Sequence, residues 1–179
     1  NPTNWETILH TACRLKSALR YVYAVAFPDL LILPDSNGNR PIHIACQSND
    51  IQVDSWLFKS ILCNEVTPCA AFKIEKAFIA GEAAPDFDPP PLSTKCSRLL
   101  AANVAGHTVY HIAASNNYCE LLQVLLNVLE SLRDEFDLGA VIMSGSESST
   151  PLDMAIAHQH SESLRLLLEF LNKHGLIQK

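Results

Sequence analysis

The chain reads as an all-α protein assembled from about four stacked helix pairs. The first observation behind that class is a heptapeptide that recurs. Arg40-Pro41-Ile42-His43-Ile44-Ala45-Cys46 is preceded, 33 residues upstream, by Thr7-Ile8-Leu9-His10-Thr11-Ala12-Cys13. It is followed by Thr108-Val109-Tyr110-His111-Ile112-Ala113-Ala114 and by Thr150-Pro151-Leu152-Asp153-Met154-Ala155-Ile156. The second observation is that each copy is trailed by an apolar run. Leu121, Leu122, Leu125 and Leu126 follow the third copy, and Leu164, Leu167 and Leu168 follow the fourth, at the i, i+3, i+4 spacing of one helical face. The third is composition: 48% hydrophobic and 18% charged residues is a folded balance, and 179 residues suffice to bury roughly 70% of the unfolded surface.

The repeated unit resembles the ankyrin repeat, whose period is about 33 residues and whose hallmark is T-P-L-H-x-A. The resemblance covers roughly residues 3–62 and 103–174. It implies an ankyrin-repeat solenoid forming one domain over residues 1–179, with repeats at about 3–34, 35–63, 103–135 and 146–175 and a long insertion at 64–102. It also implies that His10, His43 and His111, which share one position, bond the threonine hydroxyl and backbone of their own turn. Arg40 lacks that hydroxyl and Asp153 replaces the histidine, so the second and fourth copies keep part of the network.

The elements can be justified in order. Thr7 opens the first helix, and the second is expected from Ala18 to Phe27, with Leu19, Val22 and Ala26 on one stripe and Pro28 ending it. Asp35-Ser36-Asn37-Gly38-Asn39 is a run of residues that tolerate left-handed backbone, where the repeat places its hairpin tip. Trp56, Leu57, Ser60 and Ile61 supply the next helical face. From Arg40 to Thr108 is about two periods, yet no repeat start occurs near residue 73; Thr67-Pro68 comes too early. Phe72 to Ala80 reads as a lone helix, Pro85 to Pro91 as a proline-rich loop and Ser93 to Leu100 as a short amphipathic piece. An insertion is the reading these residues favour, either tolerated or carrying a partner site.

Ala105-Gly106 lies in the next tip, and the helix from Glu120 toward Glu130 is the longest of its unit. Ser131 to Ser149 is expected to be an enlarged connection, serine-rich at Ser144 to Ser149. Thr150 is an N-cap, Pro151 suits the first helical position, and Asp153 can reach back to free amides. His158-Gln159-His160 alternates, which on a helix would point the rings apart. The last helix, Ser161 to Lys173, is expected to stop at His174-Gly175. Its stripe of Leu164, Leu167, Leu168 and Leu171 is widened by Leu166 and Phe170, which are expected to need covering by further repeats, a partner or self-association.

Chemistry is sparse. A net charge of -6 disfavours a phosphate-backbone binder, so no direct nucleic-acid contact is expected. No apolar run reaches the roughly 18 residues of a membrane span. The chain opens directly at a repeat without a methionine, which points to a piece of something longer. Of six cysteines, Cys13 and Cys46 share a repeat position suited to small fillers, and Cys63, Cys69, Cys96 and Cys119 show no C-x-x-C spacing. No nucleophile elbow, Walker loop, dinucleotide fingerprint, zinc-protease motif or kinase signature is present. No catalytic residue, cofactor or metal is therefore expected, and an enzyme using Cys119 with a histidine is the weakest reading.

One arrangement narrows the resemblance. A long insertion after a helix pair, then Asn-x-x-Gly-His-Thr-x-x-His-x-Ala at Asn103 to Ala113, is similar to inhibitors of nuclear factor kappa B. Here the insertion is longer and the repeats are fewer than in that family. The resemblance implies a cytoplasmic or nuclear regulatory protein-binding module, with a Rel-type transcription factor as partner. The alternative is a structural segment packing against other domains of a larger protein such as a kinase or channel. By the ankyrin resemblance the binding surface lies just past each first helix, at Arg14, Leu15, Gln47, Ser48, Ser115, Asn116, Ala157 and His158, with tip residues Asn37, Asn39 and Ala105.

Overall fold

The computed structural model describes residues 4–49, 101–131, 133, 137–143 and 149–176. Among these residues the chain is all-α, with eight α-helices, one 3-10 turn and no strand. The expected helix over 72–80, the proline-rich loop, the face from Trp56 to Ile61 and Cys63, Cys69 and Cys96 lie outside the described residues. The chain divides into two compact units, Asn1–Val104 and Ala105–Lys179.

In the first unit α1 (Ile8–Arg14) packs against α2 (Leu19–Ala26) and α3 (Pro41–Gln47), with a 3-10 turn at Pro28–Leu31 between α2 and α3. The buried side of α2 differs from the expected stripe. Leu19 and Ala26 are exposed, while Arg20 and Ala24 are buried, and the Arg20 guanidinium lies 5.1 Å from the Tyr21 ring centroid. Contact with α1 decides the inward face here, and an arginine can supply methylenes to it while stacking its head on an aromatic ring.

In the second unit α4 (Val109–Ser115) packs against α5 (Cys119–Ser131) and α7 (Pro151–Ala157), and α8 (Ser161–Lys173) packs against α5 and α7. Leu121, Leu122, Leu125, Leu126 and Leu129 of α5 are all buried, each contributing roughly 1.5–3 kcal/mol relative to exposure. The enlarged connection contains a short helix, α6 (Leu138–Ile142), capped by the Asp137 carboxylate, which accepts the Ala140 N–H at 3.1 Å. Its Leu138, Val141 and Ile142 are buried. On α8 the inward set is Ser163, Leu167, Phe170 and Leu171. Phe170 therefore needs no outside cover and Leu166 is half-buried; the exposed leucine is Leu168, at 39%.

All four repeat starts close their first helix in one way. Nine residues past each cap the backbone is left-handed, at Lys16 (φ 50), Asn49 (φ 50), Asn117 (φ 55) and Gln159 (φ 58). The amides of these residues bond Cys13, Cys46, Ala114 and Ile156 carbonyls. In three copies the next amide bonds five residues back, Ser17 to Ala12, Tyr118 to Ala113 and His160 to Ala155, which is a Schellman closure. Gly175 (φ 66) ends α8 with the same pair of bonds. This turn also overturns the expected divergence of His158 and His160. With Gln159 left-handed, their rings stack at 5.7 Å.

Candidate functional site

The exposed ends of the first helices are held from beneath by the repeated histidine. The Thr7 N–H donates to His10 Nδ1 at 3.2 Å, so Nδ1 is the acceptor nitrogen and Nε2 carries the proton. Nε2 then donates to the Asn39 carbonyl at 2.9 Å, in the turn before the next helix. The Thr108 N–H likewise bonds His111 Nδ1 at 3.1 Å, and Nε2 reaches the Ser149 carbonyl at 3.0 Å. At the second copy the Arg40 N–H takes the threonine's part at 3.1 Å, so the missing hydroxyl leaves that bond intact. His43 Nε2 donates to Ala101 instead of to the residue just before the next cap. Each imidazole thus clips its own turn to a later stretch of the same unit. Burial pushes the pKa of His10 and His111 below the ordinary value, against the opposing pull of their carbonyl partners.

Asp153 keeps half of this device. Its Oδ2 accepts the Thr150 N–H at 2.9 Å and the hydroxyl at 2.8 Å, bonds that lower its pKa, but a carboxylate has no N–H to send onward.

The tips are tied too. Asp35 Oδ1 accepts the Asn37 and Asn39 amides, both at 2.8 Å, and Gly38 turns the chain at φ 74. The Ser36 N–H donates to the Asn4 carbonyl at 3.1 Å, and the Val104 N–H to the Asn37 carbonyl at 3.0 Å. Donor and acceptor hold the same repeat positions in both bonds: Ser36 and Val104 stand four residues before their caps, Asn4 and Asn37 three before theirs.

The predicted surface residues fall mostly where expected. In the first unit Arg14, Leu15, Gln47 and Asn37 are exposed and Ser48 is half-buried. Ser48 Oγ donates to Ile44 at 2.8 Å, which ties it to its own helix. Asn39 is the correction: at 7% exposure it is internal, its carbonyl taken by His10 and its side-chain oxygen by Asn103 at 3.0 Å. In the second unit Ala105, Asn116, Ala157 and His158 are exposed and Ser115 is half-buried, its hydroxyl on the Ile112 carbonyl.

Three surface features escaped the motif reading. Arg14 is not a lone cation, because Nη1 donates to Glu6 Oε2 at 3.0 Å and Nη2 donates to Oε1. The pairing lowers the Glu6 pKa and raises that of Arg14. Trp5, 79% exposed, stands two residues before its cap with φ 52, where the later tips have Gly38 and Gly106. Val104 is exposed at the third tip. The alignment of Trp5 with those two glycines was the available signal. Cys119 Sγ lies 3.4 Å from Asn117 Oδ1 and 3.9 Å from Ser163 Oγ, an amide and hydroxyl setting that offers no base.

Among the described residues no helix is long and apolar enough to cross a membrane, and no three His, Cys, Asp or Glu side chains are grouped to hold a metal ion. No known family model matches this chain, and no curated protein matches it.

Proposed function

We propose that the chain is a regulatory protein-binding module of ankyrin type, without catalytic activity, acting in the cytoplasm or nucleus. The observation that carries this reading is the recurrence of exposed side chains at the same two positions past the first helices: Arg14 and Leu15, Gln47, Asn116, Ala157 and His158. Most are dispensable to the core, while the turns beneath them are fixed by histidine clips and left-handed closures. A rigid base under variable polar and apolar tips suits recognition of a folded protein. The similarity to inhibitors of nuclear factor kappa B makes a Rel-type transcription factor the first partner to try.

The test is affinity capture with the purified chain, partner identification by mass spectrometry, and titration of that partner. Leu15→Asp with Ala157→Arg is the informative double variant, since Arg14→Glu would also set two carboxylates together at Glu6. Both sites are exposed, so stability should move by less than about 0.5 kcal/mol each. Affinity should fall at least about tenfold. Unchanged affinity for every captured protein overturns the assignment.

A further inference from the structure

We propose that this protein associates head to tail with a second copy of itself, the leading face of its first repeat meeting the trailing face of its fourth. The proposal rests on the repeat register, not on the partner-binding surface, whose residues it does not use.

The leading face is defined by two positions. One residue past the cap stand Ile8, Pro41, Val109 and Pro151, of which the last three are buried and Ile8 is 51% exposed. Four residues past the cap stand Thr11, Ile44, Ile112 and Met154; Thr11 is exposed, Ile44 and Ile112 are buried and Met154 is half-buried. The trailing face is defined the same way. Six residues past the cap Cys13, Cys46 and Ala114 are buried, whereas Ile156 is 54% exposed. Eighteen residues past the cap Leu126 is buried and Leu168 is exposed. Within each unit first helices pack on first helices, α1 on α3 and α4 on α7. The uncovered apolar groups at Ile8 and at Ile156 with Leu168 are thus two halves of the interface the chain already uses internally. What fits Ile8 and Thr11 is the trailing side of such a helix pair, and this chain carries one uncovered.

The junction between copies lacks one component. Asp153 occupies the clip position and has no proton to donate, while the residue equivalent to Asn39 and Ser149 in the first repeat is Glu6. The contact is therefore weaker than an internal step and depends on concentration. Because it joins unlike faces, it is an open association that does not stop at a dimer.

Sedimentation equilibrium under reducing conditions, from about 10 μM to about 1 mM, tests this. Mean mass should climb past that of a dimer. Ile8→Glu and Ile156→Glu should each stay monomeric and helical, since both sites face solvent in the single chain. Mixed in equal amounts they should form a one-to-one dimer, each supplying the face the other lacks. Asp153→His should restore the donor and move the onset at least about tenfold lower in concentration. A wild-type chain that stays monomeric throughout, association that survives both Ile variants, or a mixture that fails to recombine each overturns the proposal. The last outcome would mark a contact between like faces.

Discussion

Gly38 has room for no side chain because the Val104 amide lies against it. A Cβ at residue 38 would sit 2.8 Å from the Val104 nitrogen and 3.0 Å from its Cγ2, and the backbone there is left-handed at φ 74. Gly175 has a similar φ of 66 with nothing within 4 Å. Gly175→Ala should therefore show the conformational cost alone, about 1–2 kcal/mol. Gly38→Ala should cost more, because it also displaces the bond from Val104 to Asn37. Chemical denaturation of both variants gives the comparison, and equal losses would show that the contact carries no energy.

The opposite change is predicted for Trp5. It holds the left-handed position that glycine holds in the later tips, and its ring gains little burial in return. Trp5→Gly should relieve about 1–2 kcal/mol of backbone strain and cost about 0.5–1 kcal/mol of chain entropy. A net stabilisation of about 0.5–1 kcal/mol is expected, and a fall in the thermal midpoint would contradict it. Lys16→Gly should behave alike at the first helix turn, whereas Asn49→Gly and Asn117→Gly should change less, since asparagine tolerates this conformation.

The histidine clips predict a pH dependence with a definite sign. His10 and His111 are held neutral in the fold, their pKa values lowered by burial below the ordinary value of about 6.5. Between the lowered folded value and about 6.5 the unfolded chain binds more protons, so stability rises with pH across that window. The contribution is complete above about 6.5 and is lost as pH falls toward the folded value. Glu6, Glu130 and Asp153 have lowered values too, and their losses begin only near the ordinary carboxylate range of about 4. Urea unfolding should thus give a lower midpoint at about pH 5 than at about pH 7.5, and a His10→Gln, His111→Gln variant should flatten the difference. A slope that persists in the variant would assign it elsewhere.

Local signals read best where backbone chemistry dictates the outcome. The Thr150 cap, Pro151 at the first helical position, the Gly175 stop and the leucine face of α5 all stand in the structure as their residues implied. What packing decides was less legible. The inward face of α2 runs through Arg20 and not Leu19, and Phe170 is covered by the chain itself, because neighbouring helices and not periodicity choose the buried side. Helix α6 was masked by its length, although Asp137 before Leu138, Val141 and Ile142 is a cap followed by helical spacing. In the candidate surface Asn39 was misplaced because a tip residue's carbonyl can be claimed by a histidine 29 positions earlier, which no local pattern reveals.

The cysteine position gives the last prediction. Six residues past the cap the four repeats carry Cys13, Cys46, Ala114 and Ile156, and only the isoleucine is exposed. Space there is limited wherever a helix pair follows. Cys46→Ala should stay within about 1 kcal/mol of the wild type, as alanine already fills the same place at Ala114. Cys46→Ile should cost about 1–3 kcal/mol through overpacking, although isoleucine is the native choice at the fourth repeat. Ile156→Ala in dilute monomer should shift stability by less than about 0.5 kcal/mol. Both buried thiols, free of disulfides, should react slowly with a thiol reagent in the native state, and half-buried Cys119 faster. Equal tolerance of isoleucine at residues 46 and 156 would show that the two positions do not share a register, and the repeat alignment would fail with it.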